Sequence, residues 1–181
     1  MPVPYPTQPA ASRNEVYNRY LDYFRTRLIA TCRKMSDEQL RTSAVPSGWT
    51  PTELLNHMRY VELRWLVWGF LGETVDGDLF ADQGEKRWAV DPQATLDDLA
   101  SALEAQGNRT REIVAGHDLA EISRPGAAWD EGEDPAQLER ILMHLVQEYA
   151  HHAGHLDIVA ELATARGEIN DGRPVRPQAP A

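Results

Sequence analysis

The run Glu148-Tyr149-Ala150-His151-His152-Ala153-Gly154-His155 concentrates more groups able to do chemistry than any other stretch of the chain. Glu148 and His152 are four residues apart, so on a helix they project from one face, a turn apart. That face is also apolar, because Leu138, Ile141, Leu142, Leu145, Tyr149, Leu156, Val159 and Leu162 recur at steps of three and four. A carboxylate facing a core is costly unless it takes a proton or meets a cation. A divalent ion is one such cation, and inward ligands on facing bundle helices are a recurrent way to hold one. An ion pair between Glu148 and a core histidine is the plainer alternative. Far upstream, His57 lies three residues after Leu54 and four before Val61, on an apolar helix face of its own. One carboxylate and two imidazoles match the His₂Glu set of open zinc sites, in which three protein ligands leave coordination positions free. Imidazole also serves nickel and iron, so ligand type does not choose the metal.

The other candidates divide by position. His155 follows His152 by three residues on the same side, and is read as a partner behind the ligands or a substrate contact. His144 and His151 flank the stripe and read as surface or interface residues. Gln147-Glu148-Tyr149-Ala150-His151 approaches the zinc-protease pattern H-E-x-x-H, but the first position is Gln, so that chemistry is disfavoured. Cys32 falls on an apolar stripe and reads as a small buried hydrophobe.

These residues need helices to position them, and the start signals are clear. Ser12 with Glu15 forms a capping box for a first helix to about Met35, with Tyr17, Leu21, Phe24, Leu28, Cys32 and Met35 along one face. Ser36 with Gln39 caps a short turn, and Pro46-Ser47-Gly48 breaks the chain. Thr50-Pro51-Thr52-Glu53 starts a second long helix to about Leu71, with Leu54, Met58, Val61, Trp65 and Trp68 inward and Arg59, Glu62 and Arg64 outward. Residues 73–94 form a long connection, in which Trp88 reads as a clamp onto the bundle rather than a lid. Thr95 with Asp98 opens a third long helix to about Ala115, interrupted by Gly107, which either weakens it or permits close packing. His117, just past its end, reads as a partner for the helix dipole. The last helix is expected from Pro135, capped by Asp134, to Arg166, closed by Gly167. The fold is therefore all-α: a four-helix, up-down-up-down bundle with long connections, in which the second and fourth long helices carry the inward polar groups. Residues 1–11 form an extended Pro-rich arm, 12–167 the bundle and 168–181 a flexible Pro-rich tail.

Composition narrows the function classes. The chain has 181 residues and a formal net charge of -10, which argues against phosphate backbones and anionic membrane surfaces as partners. No apolar run reaches the roughly eighteen residues of a membrane span, and no signal peptide is evident. One cysteine permits no intrachain disulfide, and the cytoplasm is the default location. Apolar residues near Trp68, Phe70 and Trp88 exceed what one bundle needs, which suggests a homodimer.

The histidine in Leu54-Leu55-Asn56-His57-Met58, followed far downstream by Glu148-Tyr149-Ala150-His151-His152, resembles the DinB-like superfamily of four-helix metal proteins over most of residues 12–166. Many members carry H-x-x-x-H in the last position. The Glu148-x-x-x-His152 form is similar to the mycothiol-dependent maleylpyruvate isomerases. The resemblance implies a divalent metal, usually zinc or nickel, on His57, Glu148 and His152. It also implies a low-molecular-weight thiol such as mycothiol as cosubstrate, and it points to a dimer. The isomerases carry an additional C-terminal domain that contributes to their site, so the isomerisation itself is not implied here. A metal-dependent enzyme moving a thiol to, or isomerising, a small electrophile is the leading expectation, with Trp65, Tyr149 and His155 lining its pocket. Metal-assisted hydrolysis and a non-catalytic binding bundle are the alternatives.

Overall fold

The structure, a computed structural model, describes residues 3–75, 88–124 and 135–165. Five α-helices appear among them: α1 (Arg13–Cys32), α2 (Asp37–Arg41), α3 (Pro51–Glu62), α4 (Leu96–Gly116) and α5 (Leu138–Ala165). A π-helical segment, Leu63–Phe70, continues α3 without a break. The four long helices form the expected bundle around Leu21, Leu28, Leu54, Leu103, Leu142 and Leu145, none of which is exposed. Each such side chain contributes roughly 1.5–3 kcal/mol of transfer free energy.

The alternation of direction differs from the up-down-up-down expectation. Arg13 meets Glu139 near the start of α1 and α5, and Arg27 meets Asp157 farther along both, so these two helices run parallel. Asn14 donates to the Val114 carbonyl at 2.8 Å and Arg33 faces Asp97 at 3.6 Å, so α4 runs against α1. His57 packs on His152 and Trp65 on His144, so α3 runs against α5. The order is up-down-down-up. Helices α3 and α4 are neighbours pointing the same way, which requires a connection able to span the bundle. Helix α4 has 21 residues, and a helix of that length is on the order of 30 Å long. The stretch between residues 71 and 95 is long enough for that return, and a short loop would have forced antiparallel neighbours.

Helix starts follow the local signals closely. Ser12 accepts from the Glu15 amide, and Ser36–Gln39, Thr50–Glu53 and Thr95–Asp98 all form reciprocal capping boxes. Helix α1 ends at Cys32, three residues before the expected Met35, with the Arg33 amide bonded to the Ile29 carbonyl. Helix α4 continues through Gly107. A Cβ there would lie 2.9 Å from Arg25 Nε, so the glycine serves close packing.

Helix α5 is a correction. It begins at Leu138, and Pro135 and Ala136 lie outside it. Its first amides are met by main chain instead of a capping side chain: Leu138 N–H donates to the Glu121 carbonyl and Glu139 N–H to that of Leu119, at 2.9 and 3.0 Å. An isolated bridge between Ile122 and Gln137 holds the two segments together. Near the other end, Leu162 is exposed and Ala163 takes the buried place. The expected cap Asp134, closing Gly167 and tail 168–181 lie outside the described residues.

The π segment changes which side chains face inward. At α-helical pitch Trp65 and Trp68 would continue the face of Met58 and Val61. The wider π turn, seen in the Leu71 amide bonding back to Leu66, keeps steps of four in line. Leu66 and Phe70 are therefore buried on the line of Met58 and Glu62, while Trp65 and Trp68 are half-exposed. Glu62, expected outward, is fully enclosed.

Candidate metal centre

The last α-helical turns before the π segment carry His57, and the middle of α5 carries Glu148 and His152. One ligand atom from each of the three lies within 4.8 Å of the others. Glu148 Oε2 is 3.4 Å from His152 Nε2, and Glu148 Oε1 is 3.7 Å from His144 Nε2, one turn back. Two donors on one tetrahedral zinc, each about 2.0–2.1 Å from it, stand roughly 3.3–3.4 Å apart. The Glu148–His152 spacing fits that pair without rearrangement. His152 has 12 % of its side chain exposed. Its Nδ1 is buried without a hydrogen-bond partner among the described residues. Burial lowers the pKa of His152, Glu148 opposes the shift, and His155 and His151 assist it. The neutral ring that results is the form a metal binds. The donor set and its spacing therefore fit a divalent ion.

Trp88 covers this group from the other side of the long connection. Its ring is stacked on His57, with centroids 3.9 Å apart, and meets His152 edge-on at 5.9 Å. Asn56, next to His57, donates to the Ala89 carbonyl at 2.8 Å and ties the same segment down. Trp88 is thus a clamp, as read from the sequence, and the surface it clamps is the ligand group.

A cavity of about 310 Å³ opens beside His57 and Glu148, walled by Tyr60, Val61, Arg64, Trp65 and His144. Trp65 lies in its wall. His144 does too, packed edge-to-face on Trp65 at 4.7 Å with about a third of its side chain, 35 %, exposed. His151 is exposed, as read. His155 does not line the cavity: it packs against His151 at 4.2 Å and Trp49 at 6.3 Å, with His152 at 5.6 Å. Burial, then His151, lowers its pKa.

Tyr149 is a further correction. It is fully buried, and its hydroxyl donates to Glu62 in the core rather than facing the cavity. Glu62 also accepts from Arg25 at 2.7 and 3.0 Å and from Thr110. Burial would lower the Arg25 pKa, but Glu62, Tyr149 and Asp22 outweigh it and hold the guanidinium charged. Burial, then Glu62, raises the Tyr149 phenol far above its usual range, so it remains a donor. Inward polar groups thus come from all four long helices, not two. The overlooked signal was Arg25 itself, four residues after Leu21 and three before Leu28 on an apolar face.

Phe70 is buried edge-on against His117 at 5.1 Å, and His117 in turn pairs with Glu121 at 2.9 Å. With Trp88 on His57, the residues that suggested an exposed dimer patch are mostly engaged within the chain. Among the described residues, no helix is long and apolar enough to cross a membrane.

Comparison with known proteins agrees with this architecture. YfiT from Bacillus subtilis, described as a probable metal-dependent hydrolase with an unusual four-helix bundle topology, superposes with a TM-score of 0.58. The match covers 90 % of this chain and 94 % of that one at 16 % identity, a likeness of fold. No functionally curated protein matches the sequence significantly. Residues 16–165 match the family model described as mycothiol-S-transferase. The chain, with its long match and its bundle, belongs to the mycothiol-S-transferase family within the DinB-like superfamily.

Proposed function

We propose that the protein is a metal-dependent S-transferase. It binds one divalent ion, zinc or nickel, through His57, Glu148 and His152, and joins the sulfur of a low-molecular-weight thiol to a small electrophile. The observation that carries this reading is the approach of those three ligand atoms to within 4.8 Å beside an open cavity. The family name supports mycothiol as the thiol. A bound divalent ion would supply a lowered thiol pKa, so that the thiolate, the actual nucleophile, is available at neutral pH. Around it the chain's own residues orient and exclude. Trp88 covers His57 from one side, and Trp65, Tyr60 and Val61 offer an apolar wall to the electrophile. His144 stands 3.7 Å from Glu148 in the same wall. His155 is read as a partner behind His152.

The transfer forms one carbon–sulfur bond. The thiol proton leaves to solvent, and the electrophile either expels a leaving group or takes up a proton after addition. A reduced thiol needs a reducing compartment, which supports the cytoplasm. The exposed apolar residues Met143, Ile158 and Leu162 on α5 support a homodimer, and light scattering should then return the mass of two chains.

The test is a panel of cellular thiols, mycothiol included, with a chromogenic electrophile and metal-loaded protein. Product should require both metal and thiol, and His152→Ala should abolish it. Adding thiol to the metal-loaded protein in weak buffer should release protons, and adding it to apoprotein should not. Metal-dependent ester or amide cleavage without thiol would replace this reading with a hydrolase. Metal binding without either reaction would replace it with a binding bundle.

A further inference from the structure

Glu62 is 0 % exposed, and its carboxylate is bonded to every other long helix: to Arg25 of α1, Thr110 of α4 and Tyr149 of α5. Desolvation makes a buried ion pair a weak source of stability, and apolar residues of similar volume often do as well. What directional bonds add is axial register. Leucine faces tolerate sliding more readily than a carboxylate held by four donor groups at once. The place of this knot is informative. Glu62 lies five residues after His57 on α3, and Tyr149 lies between Glu148 and His152 on α5. The bond between Glu62 and Tyr149 therefore joins the two ligand-bearing helices within about two turns of the ligands on both sides. Helices advance about 1.5 Å per residue, whereas metal–ligand distances tolerate about 0.2 Å. The π segment starts at the next residue, Leu63, so the knot also separates the regular ligand-bearing turns from the widened ones.

We infer that Glu62 and Tyr149 are positioning residues that set the register of α3 against α5, and through it the spacing of His57 from Glu148 and His152. The inference rests on the proposed metal site but concerns different residues. Thr110 bonds the same carboxylate from α4, which carries no ligand. It is therefore the matched control, alike in burial and bond but without a place in the α3–α5 register.

The experiment compares wild type, Tyr149→Phe, Thr110→Val and Glu62→Gln. Zinc affinity is measured by chelator competition, the visible spectrum is recorded with cobalt, and thermal melts are run on the apoproteins. Tyr149→Phe keeps the ring volume and removes only the hydroxyl. It should weaken zinc binding about tenfold, at the low end for losing a residue that orients ligands, and should shift the cobalt bands. Glu62→Gln should do the same. Thr110→Val should lower the melting temperature by an amount comparable to Tyr149→Phe, yet keep zinc affinity within about twofold and the cobalt spectrum unchanged. Equal loss of affinity in Tyr149→Phe and Thr110→Val, or loss in neither, would show a merely structural knot and overturn the inference while the metal site stands. If Tyr149→Phe does not fold, Glu62→Gln against Thr110→Val makes the same comparison. Absence of zinc binding by wild type would instead overturn the site, and the inference with it.

Discussion

The indole of Trp88 lies flat on the imidazole of His57, with ring centroids 3.9 Å apart and planes 2° apart. The two residues come from different segments, and the stack fixes the ring plane of a candidate ligand before any ion arrives. Such preorganisation is worth most at a metal site, where ligand direction matters as much as distance. Trp88→Ala should weaken zinc binding about tenfold, and Trp88→Phe should recover most of it. The measurement is chelator competition on purified protein, and unchanged affinity in Trp88→Ala would reduce the stack to packing.

Ligand deletions should separate the histidines. His57→Ala and His152→Ala should each lose most of the bound metal by elemental analysis, while His144→Ala retains it. Removing the ion should also lower the melting temperature of the wild type. A ligand at a hundredfold its dissociation constant stabilises the folded state by about 2.7 kcal/mol. A melting temperature insensitive to chelator would argue that the ion, if bound, is not held by the fold.

Gly107→Ala should destabilise the protein, against the usual helix preference. Alanine in a helix interior gains roughly 1 kcal/mol over glycine. Here the new Cβ would lie 2.9 Å from Arg25 Nε and 3.0 Å from its Cδ and Cζ. Arg25 cannot retreat, because Glu62 and Asp22 hold it. Overpacking of this kind costs about 1–3 kcal/mol, so a net loss on the order of 1 kcal/mol is expected in urea denaturation. A stabilised Gly107→Ala would show that Arg25 has room to move.

Cys32 should be inert in the native protein. It is fully enclosed, and burial pushes its thiol up to about 12. A disulfide reagent at pH 8 should therefore label it only after unfolding. The same shift has a pH signature. The folded pKa lies above the unfolded one, so the contribution is intact below the unfolded pKa of about 8.5 and is lost as pH rises towards 12. Between those limits the loss approaches about 1.4 kcal/mol per pH unit. Cys32→Ala should flatten the alkaline limb of stability by that share. The raised Tyr149 phenol acts in the same direction at higher pH.

The chain's own local chemistry determined where most helices begin. Ser12, Ser36, Thr50 and Thr95 cap their helices because a hydroxyl and an amide three residues apart need nothing from the rest of the protein. The periodic leucines likewise determined an all-α bundle, and the spacing of Glu148 and His152 on an apolar face pointed to the site. Tertiary structure decided the rest. Helix α5 starts at Leu138 because carbonyls of Leu119 and Glu121 reach its first amides, a contact between segments that no local motif encodes. Glu62 was expected outward with Arg59 and Arg64; Arg25, Thr110 and Tyr149 on three other helices make it a core residue. The helix directions were open as well, since connections long enough to span the bundle do not force neighbours to be antiparallel. Periodicity sorts side chains along one helix, but which faces meet, and at what register, depends on interactions between helices. The closeness of His57 to Glu148 and His152 is therefore a property of the fold alone.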